Sequence, residues 1–293
     1  MVKKQKANGG LRIGCVNYVP YGFEAGFQNM RRFGYDSIDF QHLVNPKGDL
    51  SQMTARALAK RLKEIRQMAE DSGIVIGQVH GPWRYPPQDA TEADRKEWFE
   101  MMKRGLASCV QLGSENMVIH PIMPFGVSET TAQQDEAWKI NQDFYGRLIQ
   151  EAEKVHVVIS LENMPFPHLR LSRPPQILKF IREMNSPWFK FCLDTGHCFC
   201  LGDNPDEAVR LAGRKWLRTL HVHDNFGDID RHLIPFTGLI DWKAFRQSLQ
   251  DIGFEGILSL ENHPFASKYP PAVREAAEWH LVKVAAYLAG REL

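Results

Sequence analysis

The chain is predicted to be a single-domain (β/α)8 TIM barrel, and two observations support this. Strand-like runs alternate with helix-like runs eight times along the sequence, with short connections and no low-complexity linker. The length of 293 residues also suits one α/β barrel, which typically takes about 250 residues. A doubly wound open sheet is the alternative, but no Gly-x-Gly-x-x-Gly motif follows the first predicted strand. We therefore expect a flexible N-terminal segment, residues 1–10, followed by the barrel, residues 11–293.

Each strand is predicted from a β-branched or apolar run, and each helix from apolar residues at helical spacing. The predicted strands are residues 11–19, 37–43, 74–80, 116–120, 157–162, 189–193, 217–223 and 257–261. The predicted helices are residues 23–33, 50–71, 92–112, 129–154, 174–184, 205–211, 242–252 and 271–288. Gly113 supports the end of the third helix and Pro174 the start of the fifth, since glycine favours helix ends and proline favours first turns.

Charge and composition disfavour several classes of protein. Lys and Arg number 36 against 35 Asp and Glu, so no global attraction to nucleic acid or to an anionic membrane is expected. A local stripe of basic residues is still compatible with this composition. No run approaches the roughly 20 apolar residues of a membrane span, and no apolar signal-peptide core follows the basic N-terminus. The five cysteines fit neither a zinc ribbon nor a C-x-x-C motif, which predicts reduced thiols in a cytoplasmic protein.

The heptapeptide Ser-Leu-Glu-Asn-x-Pro-Phe occurs twice, at residues 160–166 and 259–265. Each copy follows an apolar run, so Glu162 and Glu261 are expected where a buried strand opens into a loop. A charge at that point is costly unless a metal, a partner or a substrate compensates it. The repeat therefore predicts a paired-carboxylate site. For either glutamate alone, a helix cap or a salt bridge is the alternative.

Metal-capable side chains end six consecutive predicted strands, on the face where barrel enzymes hold their active sites. These side chains and those of the loop after the seventh strand are His80, His120, Glu162, Asp194 with His197, His221 with His223, Glu261, and Asp230, Arg231 and His232. Each one alone would more often be structural, but their occurrence together predicts a divalent-metal site. Oxygen and imidazole donors suit Zn²⁺, Mn²⁺, Co²⁺ or Mg²⁺.

Other residues near these strand ends have less specific roles. His223 shares its side of the strand with His221, so a supporting role is expected for it. Trp83, just beyond His80, is suited to stack on a sugar ring or a base, or to pack a lid. His263, after the last strand, is expected to be structural or solvent-facing.

These motifs resemble those of the xylose isomerase-like barrel superfamily, over roughly residues 11–286. The superfamily includes sugar-phosphate isomerases and epimerases, ketohexose 3-epimerases and endonucleases of the endonuclease IV type. The resemblance rests on His80-Gly-Pro, His120-Pro, Leu-Glu162-Asn, Leu-Asp194-Thr-Gly-His197, His221-Val-His-Asp-Asn, Asp230-Arg-His232 and Leu-Glu261-Asn. Residues 221–242 are most similar to the isomerase and epimerase branch.

The resemblance implies two ligand sets. In epimerase-like members one metal is held by the residues that match Glu162, Asp194, His221 and Glu261. The two glutamates there also form the acid/base pair, and the residue matching His197 contacts substrate. In endonuclease-like members three zinc ions are held by nine positions, all present here: His80, His120, Glu162, Asp194, His197, His221, Asp230, His232 and Glu261. The epimerases place an arginine where Gly227 stands, so this chain departs from their substrate-binding arginine. Arg231, in the Asp230-Arg-His232 triplet, is a candidate for substrate binding.

The expected function is that of a metal-dependent sugar or sugar phosphate isomerase or epimerase. Proton transfer between Glu162 and Glu261 would proceed through a metal-stabilised enediolate. A zinc-dependent endonuclease acting at abasic sites is the alternative, supported by the nine positions and opposed by the near-neutral charge. A non-catalytic sugar sensor is the third. The partner expected is a small sugar, with no membrane contact, and barrels of this kind often pair through their outer helices as homo-oligomers.

Overall fold

Eight parallel strands form a closed (β/α)8 barrel in a computed structural model that describes residues 10–16, 22–87, 89–262 and 269–292. The strands are β1 (Arg12–Val16), β2 (Ser37–Phe40), β3 (Val75–His80), β4 (Asn116–Ile119), β5 (Val158–Glu162), β6 (Phe189–Asp194), β7 (Leu217–His221) and β8 (Ile257–Leu260). Their order is β7-β6-β5-β4-β3-β2-β1-β8. Val222 closes the ring, since its N–H donates to the Ser259 carbonyl (2.8 Å) and its carbonyl accepts from Glu261 N–H (3.0 Å). The predicted fold class is confirmed.

Helices alternate with the strands, and short sequence signals set several of their ends. The helices are α1 (Phe23–Phe33), α2 (Asp49–Gln52), α3 (Ala55–Asp71), α4 (Glu92–Leu112), α5 (Thr131–Val155), α6 (Pro174–Met184), α7 (Thr195–Cys200), α8 (Pro205–Trp216), α9 (Trp242–Asp251) and α10 (Pro271–Leu288). Capping boxes begin α4 (Thr91 with Asp94) and α5 (Thr130 with Gln133). Gly113 ends α4 in the left-handed conformation, as predicted. Within the described residues, none of these helices combines the length and apolarity that crossing a bilayer needs.

Four elements differ from the prediction. The helix predicted at 50–71 is divided into α2 and α3, because the Thr54 side chain caps a new helix by accepting from Ala57 N–H (3.3 Å). The helix predicted to stop at residue 211 extends to Trp216, with a kink at Gly213. The seventh strand ends at His221 rather than at residue 223. The short helix α7 was not predicted.

Predictions for residues 1–9 (most of the N-terminal segment), for residues 17–19 of the first strand and for His263 lie outside the described residues.

Alternation along each strand separates an apolar outer face from a polar interior. On β5, Ile159 and Leu161 belong to the hydrophobic core between strands and helices. Ser160 and Glu162 lie on the opposite face and line the inside of the barrel. The barrel thus packs through its outer face, and the inside is free to hold polar groups at the carboxyl ends of the strands.

One buried carboxylate fastens the loop after β7, residues 225–241. The side chain of Asp224 accepts hydrogen bonds from Gly238 N–H (2.9 Å), Ile240 N–H (3.2 Å) and Trp242 Nε1–H (2.8 Å). Asp224 is 0% exposed, so these donors replace the water that would otherwise solvate its charge. The loop therefore has a fixed path back to α9.

Replacing Asp224 should destabilise the protein markedly. Asp224→Asn keeps the volume but turns one acceptor oxygen into an N–H₂ group that faces other N–H donors. We expect a loss of about 2–4 kcal/mol in the free energy of unfolding, because buried donors lose a charged acceptor. Urea unfolding measures it.

Asp241→Asn is the matched control, since Asp241 caps α9 by accepting from Ala244 N–H (2.9 Å) at an exposed position. Asparagine caps helices as well as aspartate does, so this change should stay within about 0.5 kcal/mol of the native protein. Equal losses in the two variants would contradict the role assigned to Asp224.

Candidate metal centre

The strand-end residues predicted from the sequence converge at the carboxyl end of the barrel. His80 ends β3, Glu162 ends β5, Asp194 ends β6 and His221 ends β7, while Glu261 follows β8 directly. All five are buried. Because the strands are parallel and the barrel is closed, residues far apart in the sequence meet in one small volume.

Glu162 lies at the middle of this group. Its Oε1 is 3.1 Å from His221 Nδ1 and 3.5 Å from His197 Nδ1. Its Oε2 is 3.2 Å from His120 Nε2 and 3.6 Å from His80 Nε2. Burial alone would raise the pKa of Glu162, but the imidazoles of His221 and His120 hold it well below its ordinary value. One carboxylate thus faces four imidazoles.

A four-residue group at this centre has the composition of a metal site. One ligand atom from each of Glu162, Asp194, His221 and Glu261 lies within 4.8 Å of the others. His221 Nδ1 lies 3.2 Å from Glu261 Oε2, yet within the described residues it is buried without a hydrogen bond. Ligand atoms held at about 2.0–2.2 Å from a divalent ion are about 3.3–4.4 Å apart, so small movements would suffice. The residues fit a divalent cation.

Cys192 also approaches this group, with its sulfur within 4.8 Å of ligand atoms of Glu162 and His221. Burial raises the pKa of the Cys192 thiol well above its ordinary value. A neutral thiol is a poor metal ligand compared with the neighbouring carboxylates. The four-residue group, which does not include Cys192, offers only oxygen and imidazole donors.

His80, His120 and Glu162 form a second group whose ligand atoms lie within 4.8 Å of one another. The ring of His80 is edge-on to that of His120, with centroids 4.8 Å apart. Burial would lower the pKa of His80, but the contact with Glu162 raises it above the ordinary value. For His120 the effect of burial exceeds that of Glu162, so the pKa is lowered. Trp83 stands edge-on to His120 at 4.4 Å, so it forms a wall beside this second group.

Asp230 joins two further histidines. Its Oδ2 is 3.3 Å from His197 Nε2 and 2.9 Å from His232 Nε2. Burial would raise the pKa of Asp230, but its bonds to both histidines lower it well below the ordinary range. Burial would likewise lower the pKa of His232, but Asp230 and Glu261 raise it to about 9. Without a metal, protons on the histidines balance the buried carboxylates.

His223 supports its neighbours in the way expected for it. Its Nε2 is 2.9 Å from Asp194 Oδ2, and its ring stacks on that of His232 at 4.1 Å. Asp194 in turn caps α7 by accepting from His197 N–H (2.6 Å). A Cβ at Gly196 would overlap the His223 ring. The Asp-Thr-Gly-His sequence thus needs its glycine so that helix and histidine can pack closely.

Arg231, a candidate for substrate binding, does not join the cluster. Its Nε donates to Asp228 Oδ1 (2.9 Å), and its guanidinium lies 5.6 Å from the Phe226 ring centroid. Asp228 and Phe226 are exposed. Arg231 is thus held at the outer side of the loop.

The sequence analysis missed two polar residues: Asp39, which is in β2, and Gln41, which directly follows it. Asp39 Oδ2 is 2.8 Å from His221 Nε2, and Gln41 Nε2 donates to Glu261 Oε1 (2.6 Å). The signal was present, because residues 37–41 alternate polar and apolar and so present one polar face.

Comparison with known proteins finds a matching family model, similar curated relatives and a similar solved structure. Residues 27–281 match the family model described as "Xylose isomerase-like TIM barrel". A D-psicose 3-epimerase of Enterocloster bolteae is 23% identical over 75% of this chain and 71% of its own length. A probable endonuclease 4 of Mycoplasmopsis pulmonis is 24% identical over 74% and 79%. The solved structure of "IOLI protein with a binding zinc atom" superposes with a TM-score of 0.76 at 21% identity, covering 95% of this chain and 98% of that one.

The raised pKa of His232 links the stability of the metal-free protein to pH. The folded-state pKa of about 9 exceeds the ordinary 6.5, so this stabilisation is complete below about pH 6.5 and is lost as pH rises through about 9. We expect His232→Gln to lose on the order of 2 kcal/mol relative to the native chain near pH 6, and much less near pH 9.5. Urea unfolding in a chelator at the two pH values measures the difference.

His280→Gln is the control, because His280 is exposed on α10 and outside the cluster. It should follow the native protein at both pH values. A constant difference between His232→Gln and the native chain across this range would refute the Asp230–His232 pairing.

Proposed function

This chain belongs to the xylose isomerase-like TIM barrel family, and we propose that it is a metal-dependent isomerase or epimerase of a small sugar or sugar phosphate. The D-psicose 3-epimerase among its relatives supports this class of substrate. The structural likeness to a zinc-binding protein of the same fold supports the metal.

One observation carries the proposal: two buried glutamates from opposite sides of the barrel meet at one imidazole nitrogen. Glu162 Oε1 and Glu261 Oε2 lie 3.1 and 3.2 Å from His221 Nδ1. Glu162 is 1% and Glu261 is 6% exposed. Two water-shielded carboxylates at one centre suit removal of a proton on one face of a carbon and its return on the other.

Glu162, Asp194, His221 and Glu261 would hold the metal ion. When bound, a divalent cation there polarises a carbonyl and an adjacent hydroxyl and so acidifies the carbon-bound proton between them. Mn²⁺ and Zn²⁺ fit the mixed carboxylate and imidazole donors best, and Co²⁺ or Mg²⁺ are the alternatives. Asp194 is fixed for this task, since its N–H donates to Asn163 Oδ1 (2.9 Å).

The two glutamates would exchange the proton with the substrate. One carboxylate takes the proton from the carbon, and the other, protonated, returns a proton to the same or the neighbouring carbon. Gln41 donates to Glu261 Oε1, which leaves Oε2 directed at the centre. Burial favours this transfer because it excludes the water that would compete for the proton.

Substrate would lie between His197 and the wall formed by Trp83. Trp83 packs against an apolar cluster formed by Met123, Met164 and Leu169. An aromatic face beside a metal suits the apolar face of a sugar ring. His197 is 7% exposed at the edge of the centre. Its Nδ1 lies 2.9 Å from the Asn163 carbonyl oxygen and its Nε2 lies 3.3 Å from Asp230 Oδ2, so a substrate hydroxyl would take the place of the longer contact, the one with Asp230.

Proton exchange with solvent tests the proposal. In D₂O with Mn²⁺ or Zn²⁺, the native protein should incorporate deuterium into D-psicose, D-tagatose or D-fructose, followed by proton NMR. Glu162→Gln and Glu261→Gln should each slow the exchange by at least about 100-fold, because each removes a general acid or base. Metal analysis should give about one ion per chain, as a mononuclear site requires.

Glu129→Gln is the matched control, since Glu129 is buried at 7% exposure and, among the described residues, belongs to no group that could hold a metal. Its exchange rate should equal that of the native protein. Exchange that continues unchanged in both Glu162→Gln and Glu261→Gln would refute the acid/base pair.

A zinc-dependent endonuclease is the second candidate, and a specific observation favours it. Beside the four-residue group, the described residues bring together His80, His120 and Glu162, and they also bring together Asp194, His197 and His223. Asp230 contacts both His197 and His232. Clustered metals suit phosphodiester cleavage, because they can generate hydroxide and neutralise the leaving oxygen. The probable endonuclease 4 relative agrees with this activity, whereas the net charge of +1 offers little attraction for DNA.

Incision of a duplex that contains an abasic site distinguishes the two candidates. We expect no metal-dependent incision by the native protein. Incision that is lost in Glu261→Gln, together with about three zinc ions per chain, would replace the isomerase with the nuclease. A duplex without the abasic site is the control for contaminating nuclease.

A further inference from the structure

We propose that Asp39 is a positioning residue for the metal centre, which holds His221 in the tautomer whose Nδ1 lone pair faces the centre. The inference rests on the proposed metal site.

The proton on His221 is located by its partner. Asp39 is 1% exposed, and its Oδ2 lies 2.8 Å from His221 Nε2. A carboxylate oxygen accepts hydrogen bonds, so this contact suits an Nε2–H that donates to Asp39. An imidazole that binds a metal through Nδ1 carries its one remaining proton on Nε2, which is the nitrogen that Asp39 contacts.

The second ring nitrogen of His221, Nδ1, faces the proposed metal site. Nδ1 lies near oxygens of both Glu162 and Glu261, yet within the described residues it makes no hydrogen bond. Two carboxylates at this nitrogen favour a cation beside it, which is a proton on Nδ1 in the metal-free protein or a metal ion bound there. The opposite tautomer would instead place an N–H among the carboxylates, where it would compete with the metal.

A second strand fixes Asp39 itself. Gln78 on β3 donates from Nε2 to the same Oδ2 at 2.9 Å. The pairing of β2 with β3 is irregular between Ile38 and Asp39, and beyond that point Asp39 is opposite Gln78. Such irregularities re-aim side chains in sheets. The carboxylate is thus held by two donors and points into the barrel.

Zinc affinity is the first test. Asp39→Asn keeps the size of the side chain but lets its amide donate to His221, which favours the tautomer with Nδ1–H. Competition with a fluorescent zinc chelator should show an affinity about 10–100-fold weaker than that of the native protein, the usual effect of removing a partner that orients a ligand.

Ser160→Ala and Ser259→Ala are matched controls. These serines lie inside the same barrel, two residues before Glu162 and Glu261, and are buried. Within the described residues their hydroxyls have no hydrogen-bond partner. Their removal should leave zinc affinity within about twofold, because it alters the polar interior without touching His221.

Imidazole nitrogen NMR supplies a readout that a purely structural role would not change. With ¹⁵N-labelled histidine and zinc, the native protein should show a His221 signal with Nε2 protonated and Nδ1 metal-bound, identified by its loss in His221→Gln. Asp39→Asn at saturating zinc should lose the downfield Nε2–H proton that marks a bond to a carboxylate.

These measurements distinguish a failure of the proposed metal site from a failure of the role of Asp39. If the native protein binds no zinc, the proposed function and the role of Asp39 both fail. If it binds zinc and Asp39→Asn matches it within about twofold, the role of Asp39 alone fails. If Asp39→Asn does not fold, Gln78→Met decides: a loss of at least about threefold supports the network, and unchanged affinity overturns it.

Discussion

The buried charge of Glu162 is the constraint on which the rest of this site depends. A carboxylate at 1% exposure is stable only if the lost water is replaced. Four imidazoles, of His80, His120, His197 and His221, replace it, and each lies at or just after the end of a different strand. No local segment could supply them, so the charge can be buried only when the barrel closes. Fold and site are thus coupled through one side chain.

The sequence predicted the architecture and the strand-end residues because both follow from simple periodicity. Alternating strand and helix patterns specify a barrel, and a parallel barrel brings strand ends together whatever the loops do. Glu162, Asp194, His221 and Glu261 could therefore be grouped without coordinates. The sequence could not say which side of Glu162 each histidine faces, since that depends on register and strand tilt.

The features that the sequence did not predict depend on contacts between distant segments. The short helix α7 forms because Asp194, a predicted ligand, also serves as its N-cap. In the sequence Asp39 looks like an ordinary strand residue, and only the structure shows that β7 places His221 beside it. Asp224 follows strand-end histidines and resembles another ligand, yet it fastens a loop. In each case one aspartate suits several roles, and only the neighbours decide between them.

In the repeated heptapeptide, too, the neighbours of a side chain decide its role, because the two asparagines that follow the glutamates make different contacts. Asn163, after Glu162, extends the pairing of β5 with β6: its Oδ1 accepts from Asp194 N–H (2.9 Å) and its Nδ2 donates to the Asp194 carbonyl (3.0 Å). Asn262, after Glu261, instead donates to the carbonyls of His232 and Leu233 and holds the loop after β7.

The glutamates diverge in the same way. Glu162 faces four imidazoles that favour its anion. Glu261 contacts His221 and the amide of Gln41, with ring nitrogens of His223 and His232 within 4.8 Å. A two-sided proton transfer needs two carboxylates whose surroundings differ, so that a proton held by one can be received by the other. Two identical sequences therefore form an asymmetric pair, and the asymmetry comes from the strands that flank them.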